Sequence, residues 1–332
     1  MILHPGIIAL VTTSLLICGM LLYVSGHAVQ ILRSWDLASG SERQLSLERK
    51  TYLVSTVLAY SLGFQLISLF LFIYVADSIS SLFVGAMCAV GSLTVNPFGY
   101  PTLLLKLVNF LLAGLWLILN HADSRGHDYP LIRQKYTLLL VMVPLIVAET
   151  ASQLLYFAGL RPDIITSCCG SLFGAAGRGV ATELANLPAR PMLFIFYGFI
   201  AVTLAAGFRF VLRGRGAQAF AVLSGASSLV SLAAVISVIS LYIYELPTHH
   251  CPFCILQHEY HFIGYPLYLA LLTGFVSGCG VGVLGLGRGK ASLADDLPQI
   301  RRRLAITAML SFAVLLLIAT LVIVRTSFRL TS

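Results

Sequence analysis

The chain has 332 residues, of which 58% are hydrophobic and only 10% are charged, with a formal net charge of +8. Because a soluble domain carries charge on roughly a quarter of its residues, this composition excludes a soluble globular protein and places most of the surface in lipid. The positive charge is concentrated in a few loops, so it does not indicate a nucleic-acid partner.

Eight apolar runs are each long enough to cross a bilayer as a helix, which takes about 20 residues. Their length and continuous apolar character exclude the strands of a membrane barrel. We therefore predict an all-α membrane protein, a bundle of about eight transmembrane helices that forms a single polytopic domain over residues 1–332. The predicted spans are 6–31, 52–76, 101–120, 136–158, 191–211, 218–244, 263–284 and 304–324.

The distribution of basic residues predicts the orientation in the membrane. The connections that hold 15 of the 21 Lys and Arg residues are 32–50, 121–136, 209–217 and 285–303. Since cytoplasmic loops are enriched in Lys and Arg, we expect these connections inside the cell and both termini on the periplasmic or extracellular side of the inner membrane. The cysteine-rich outer loops are then 77–100, 159–190 and 245–262.

The outer loops contain five of the seven cysteines, namely Cys88, Cys168, Cys169, Cys251 and Cys254. The remaining two, Cys18 and Cys279, lie inside spans and are predicted to be small packing residues. Disulfides form and persist outside the cytoplasm. The loop cysteines are therefore candidates both for thiol redox chemistry and for metal binding.

The clearest motif is Cys251-Pro-Phe-Cys254, just before the seventh span. At a helix N-terminus, the free N–H groups and the helix dipole stabilise a thiolate on the leading cysteine. Such a thiolate attacks disulfides, and the second cysteine resolves the mixed disulfide. We expect Cys251 to be the more exposed of the two, because Cys254 is drawn into the helix.

The stretch Cys251-Pro-Phe-Cys254-Ile-Leu-Gln resembles the redox motif of the disulfide bond formation protein B family, and the vitamin K epoxide reductase family places its Cys-x-x-Cys similarly. The resemblance implies a quinone-linked membrane thiol–disulfide oxidoreductase. Electrons would pass from a periplasmic thioredoxin-like protein or a redox subunit, through loop cysteines, to a membrane quinone. His258 departs from the family pattern, which commonly has Arg after the motif Gln, and it is one of the candidate cofactor-binding residues.

Cys168 and Cys169 are the candidate second redox pair. Adjacent Cα atoms lie about 3.8 Å apart, below the usual disulfide range of about 4.4 to 6.8 Å, so a bridge between them would be strained and easily reduced. Alternatively, one of the two pairs with Cys88 or with the Cys251–Cys254 pair. The predicted catalytic set is Cys251, Cys254, Cys168 and Cys169.

Polar residues inside the spans are a second source of candidates, because they are costly in hydrocarbon. Lys106 lies in the third span, and Glu149 and Gln153 lie four residues apart on one face of the fourth. In one interpretation they form a proton or quinone pocket beneath the cysteine loops. In the other, Lys106 extends to the membrane surface and Glu149 is a paired packing residue.

The motif segment also supports a metal site. Cysteine and imidazole ligands together suit Zn, Cu(I) or haem iron, and the candidate ligands are His250, Cys251, Cys254, His258 and His261. If the chain after Cys254 is helical, His258 and His261 follow it on one face. A structural disulfide with interfacial histidines is a further interpretation, and a transporter is a third class supported by the span count and the buried polar residues.

Overall fold

The computed structural model describes residues 4–36, 41–161, 164–166, 180–287 and 289–328. Helices dominate this part of the chain, and it contains no β-strand. Eight helical segments are long and apolar enough to cross a membrane, which confirms the predicted eight spans of a multi-pass membrane protein. These segments are Pro5–Ser34, Gln44–Leu82, Gly99–Asp123, Ile132–Ala158, Ala189–Arg213, Ala217–Tyr244, Gly264–Gly287 and Asp296–Arg325.

The α-helices are α1 (Pro5–Ser34), α2 (Glu42–Ser78), α3 (Ala89–Leu93), α4 (Gly99–Asp123), α5 (Ile132–Ala158), α6 (Val180–Ala185), α7 (Ala189–Arg213), α8 (Ala217–Ala234), α9 (Ser240–Tyr244), α10 (Gly264–Val283) and α11 (Asp296–Arg325). Local chemistry explains several of their ends. Pro5 begins α1 where no N–H is needed, and the His4 ring accepts a hydrogen bond from the Gly6 N–H. Gly214 and Gly216 have φ of 65° and 91°, which permits the short turn between α7 and α8.

The sixth span contains a π-helical turn, Val235–Ile239, between α8 and α9. A π turn departs from the regular i to i+4 ladder and changes which carbonyls are available to side chains. The Ile236 carbonyl accepts hydrogen bonds from the Ser240 hydroxyl and from the His250 Nδ1–H, both at 3.1 Å. This turn therefore anchors the loop that follows the span.

The chain divides into two compact units. The first comprises Met1–Val75, Val95–Arg161 and Leu286–Ile300. In this unit α5 packs against both α1 and α4. Its core is built from large buried side chains that include Trp116, Tyr136 and Met142. The same cluster includes buried side chains of α1 and α2, such as Ile17 and Leu58.

The second unit comprises Ala76–Thr94, Pro162–Gly285 and Arg301–Ser332. Here α8 packs against α7 and α10. Small residues bring α8 and α10 close together: a Cβ atom added at Gly278 would lie 2.3 Å from the Ser224 Cβ. Small residues spaced four apart are a common basis of helix packing in membranes. The predicted single polytopic domain stays a prediction.

Candidate functional site

Three cysteine side chains of the second unit converge from the loops 77–100 and 245–262, and we call Cys88, Cys251 and Cys254 the cysteine trio. Their Sγ atoms all lie within 4.8 Å of one another, and the Sγ atoms of Cys88 and Cys251 are 3.7 Å apart. Cys88 and Cys251 have no exposed surface, and Cys254 is 5% exposed. The sequence placed Cys251 and Cys254 together, and the structure adds Cys88.

Cys88 is held in an extended conformation at the start of the buried helix α3. The Asp77 carboxylate accepts a hydrogen bond of 3.1 Å from the Ala89 N–H, the first of this helix. A carboxylate at a helix N-terminus satisfies an N–H group that has no partner within the helix. Helix α3 therefore begins at a fixed point, immediately after the cysteine.

The segment before Cys88 is held by Ile165 and Thr166, which lie in another loop. Val84 and Ile165 form an isolated parallel bridge, and the Thr166 N–H donates to the Val84 carbonyl at 2.9 Å. Gly85 has φ of 86°, and a Cβ atom there would lie 2.3 Å from the Thr166 carbonyl oxygen. A glycine is therefore required at the contact between these two loops.

Cys251 and Cys254 occupy a tight turn whose backbone is held by two tyrosines. The Tyr244 hydroxyl donates to the Cys251 carbonyl, and the Tyr268 hydroxyl donates to the Pro252 carbonyl at 2.7 Å. A short 3-10 turn, Cys254–Leu256, follows. The two tyrosines lie in the sixth and seventh spans, so the loop is attached to both.

The expectation that the motif cysteines lie at a helix N-terminus, with Cys254 drawn into the helix, is wrong. The seventh span begins at Gly264, ten residues after Cys254, so neither motif cysteine lies in the field of its N-terminus. The expected order of exposure is also wrong, because Cys251 is the less exposed of the two. Both errors have one cause: the chain must leave the sixth span and meet the Cys88 loop before it enters the next helix.

Gln257, the last residue of the motif, connects the two cysteine loops. Its Nε2 group donates to the Asp77 carboxylate at 3.0 Å and to the Met87 carbonyl at 2.8 Å. The same carboxylate oxygen of Asp77 accepts from Ala89. These hydrogen bonds hold the residues on either side of Cys88 to the loop that contains the other two members of the cysteine trio.

Aromatic and imidazole rings form one wall of the site. The Tyr244 ring packs edge-to-face against His249 and Tyr260, with centroid distances of 4.3 and 4.7 Å. Burial lowers the pKa of His249 below its ordinary value, an effect that the neighbouring Cys88 opposes. Burial also raises the pKa of the Tyr260 phenol, to which Cys254 contributes. Of these three rings, Tyr244 is buried, and His249 and Tyr260 are half-buried.

A comparison with protein-family models, curated proteins and solved structures finds no match for this chain. The assignment of a function to the cysteine trio accordingly depends on its geometry and on the residues that surround it.

The candidate histidine ligands do not join the cysteine trio within the described residues. His258 and His261 are exposed, and the His250 ring is bound to a backbone carbonyl of the π turn. The expected helix after Cys254 is absent: Gln257 is extended and His261 is left-handed, with φ of 54°. The reasoning that placed His258 and His261 on one helix face with Cys254 is therefore wrong.

Lys106 and Glu149 form a buried ion pair of 2.8 Å in the first unit. The second carboxylate oxygen of Glu149 accepts hydrogen bonds of 2.6 Å from Gln65 and Asn109. Lys106 therefore does not extend to the membrane surface, and the interpretation of Glu149 as a paired packing residue fits this network. Gln153 donates to the Leu10 carbonyl and accepts from Ser14. Contact of these residues with a cofactor stays a prediction.

The predicted pair Cys168 and Cys169 lies outside the described residues. Cys18 and Cys279 are half-buried within spans, and the Cys279 Sγ lies 3.9 Å from the Ala221 carbonyl. Sequence reasoning missed Asp77, and it named Cys88 as a loop cysteine without grouping it with Cys251 and Cys254. One signal for Cys88 was present, because Gly99-Tyr100-Pro101 and Gly264-Tyr265-Pro266 each follow a cysteine-containing loop.

Proposed function

We propose that the cysteine trio is the redox centre of a membrane thiol–disulfide oxidoreductase. The observation that carries this proposal is the 3.7 Å contact between the Sγ atoms of Cys88 and Cys251. Thiol–disulfide exchange requires a thiolate to approach a disulfide sulfur directly, and this contact supplies that approach. Cys254 lies close enough to be the alternative partner of either sulfur.

The exchange step needs no external reactant. When Cys251 and Cys254 are joined as a disulfide, the Cys88 thiolate attacks the Cys251 sulfur. A Cys88–Cys251 bond forms, the Cys251–Cys254 bond breaks, and Cys254 leaves as a thiolate. Creating a disulfide from two thiols releases two electrons and two protons. In line with the motif resemblance, the proposed acceptor is a membrane quinone, which takes up both to become a quinol.

Burial of the cysteine trio supports a relay rather than direct contact with a protein substrate. A dithiol on another protein does not reach two sulfurs that have no exposed surface. We therefore propose that electrons enter through Cys168 and Cys169 from a thioredoxin-like protein or a redox subunit. Thr166, two residues before Cys168 in the sequence, donates its N–H to the segment that leads to Cys88.

The test is quinone reduction by the full-length protein in lipid nanodiscs, supplied with a dithiol and a short-chain quinone. We expect Cys251→Ser and Cys254→Ser to lower the rate to background. The control is Cys279→Ser, since Cys279 lies within the seventh span, and this variant keeps the rate of the unmodified protein. Equal rates in all variants, or no dithiol-dependent reduction by the unmodified protein, would remove the proposed function.

A further inference from the structure

We infer that the cysteine trio, in its reduced state, is a binding site for one thiophilic cation of the Cu⁺ or Zn²⁺ class. This inference uses the residues of the proposed function but not its redox step. Its basis is the convergence of three buried sulfurs from two loops that are far apart in the sequence. The third ligand is Cys88, and no histidine is included.

The sulfur spacing agrees with ligation of a single ion. Zinc–thiolate bonds of about 2.3 Å separate two ligand sulfurs by about 3.8 Å at a tetrahedral angle and by about 4.0 Å in a trigonal plane. The observed distance of 3.7 Å between Cys88 and Cys251 is close to these values, whereas a disulfide has a length of about 2.05 Å. The remaining pairs lie within 4.8 Å, so the three sulfurs form one cluster.

The surroundings of the sulfurs favour a soft cation. Thiolate ligands select Cu⁺ and Zn²⁺ over hard ions such as Mg²⁺. Three thiolates buried together would repel one another strongly, and a bound cation compensates this charge where water cannot. The hydrogen bonds from Gln257 to Asp77 and Met87 hold one ligand loop against the other. Outer interactions of this kind keep metal ligands in place.

Metal binding and thiol oxidation then exclude each other at this site. The cation requires all three cysteines as thiolates, and a disulfide between any two removes two of its ligands. Oxidation of two thiolates gives up two electrons to the acceptor and releases the ion. A bound cation therefore indicates that the cysteine trio is reduced, and it prevents a disulfide from forming between the three sulfurs.

The test uses the full-length protein in detergent, reduced with a phosphine and kept free of oxygen and quinone. Titration with Co²⁺, a spectroscopic substitute for Zn²⁺, should produce sulfur-to-cobalt charge-transfer absorption that saturates at one equivalent. Excess Zn²⁺ or Cu⁺ should then remove this absorption. Replacement of each trio cysteine by serine should lower the affinity at least tenfold, while Cys18→Ser and Cys279→Ser should leave it unchanged.

Each outcome decides the inference. Saturation at one equivalent with the expected pattern of variants supports it, and elution of the variants as a single species shows that they fold. Failure of Co²⁺, Zn²⁺ and Cu⁺ to bind would overturn the inference. Metal binding that persists when the trio cysteines are replaced, but is lost in His258→Ala or His261→Ala, would also overturn it. Because no quinone is present, these results are independent of the test of the proposed function.

Discussion

Gln257 and Asp77 are the residues that hold the two cysteine loops together. The carboxylate of Asp77 accepts hydrogen bonds from Gln257 and from the backbone after Cys88. We predict that Asp77→Leu lowers the yield of the Cys88–Cys251 disulfide formed by a small neutral oxidant several-fold. Asp77→Asn should restore most of this yield, because its amide oxygen still accepts hydrogen bonds. Equal yields in Asp77→Leu and the unmodified protein would show that Asp77 does not position the site.

Lys106 and Glu149 allow a prediction for stability in the first unit. Both side chains are buried, so Lys106→Met leaves a carboxylate in a low-dielectric site without its cation. Loss of one partner of a buried pair costs about 3 to 5 kcal/mol, and removal of both charges costs less. We therefore expect Lys106→Met to lower the free energy of unfolding in detergent, and the added change Glu149→Gln to recover at least half of the loss. A further loss in the double variant would contradict this account.

The identity of the motif residues was readable from the sequence, but their partner was not. Cys251, Cys254 and Gln257 stand in one short segment, whose spacing indicates shared chemistry. Cys88 lies 163 positions before Cys251, and no periodicity links the two. Asp77 was missed for a related reason, since it lies at the start of the predicted loop 77–100 and its partner Gln257 stands 180 positions later.

Helix α10 packs against α8 through small residues, and this contact supplies a prediction at the scale of elements. A methyl group added at Gly278 would lie 2.3 Å from the Cβ of Ser224, so the helices would have to separate. We predict that Gly278→Ala destabilises the protein by about 1 to 3 kcal/mol, as overpacking does. Gly198→Ala is the matched control, because apart from its chain neighbours and its own helix backbone its methyl group would meet no described atom within 4 Å. Similar unfolding transitions for both variants would exclude tight packing at Gly278.

The spans were predictable as elements because the membrane imposes a length and an apolar composition on each of them. The loops carry no such constraint. The metal interpretation required a helix after Cys254, but this segment forms two 3-10 turns, with left-handed residues at His261 and Phe262. Its conformation follows from tertiary contacts, in particular those of Gln257 with the Cys88 loop. Local sequence patterns do not encode contacts of this kind.

At the scale of the whole molecule, the sidedness of the loops determines whether the cysteine trio faces an oxidising compartment. The charge pattern predicts that the loop with Thr248 is outside and that the turn with Arg215 is inside. Both residues are exposed. We expect Thr248→Cys to react with an impermeant maleimide on intact cells, and Arg215→Cys to react only after permeabilisation. Labelling of each variant is compared with that of the protein without the added cysteine. Reaction of Arg215→Cys on intact cells, with reaction of Thr248→Cys only after permeabilisation, would contradict the predicted orientation.

The central claim is that Cys88, Cys251 and Cys254 form one chemical centre. Its most direct test is the Cys254→Ser variant, mildly oxidised in the membrane, digested and mapped by mass spectrometry for disulfide-linked peptides. Because its resolving partner is removed, Cys251 should be trapped in a disulfide with Cys88, whose sulfur is 3.7 Å away. As a control, Cys279→Ser should give the same disulfide-linked peptides as the unmodified protein. Absence of a Cys88–Cys251 link, with Cys251 joined to another cysteine or unreacted, would contradict the account.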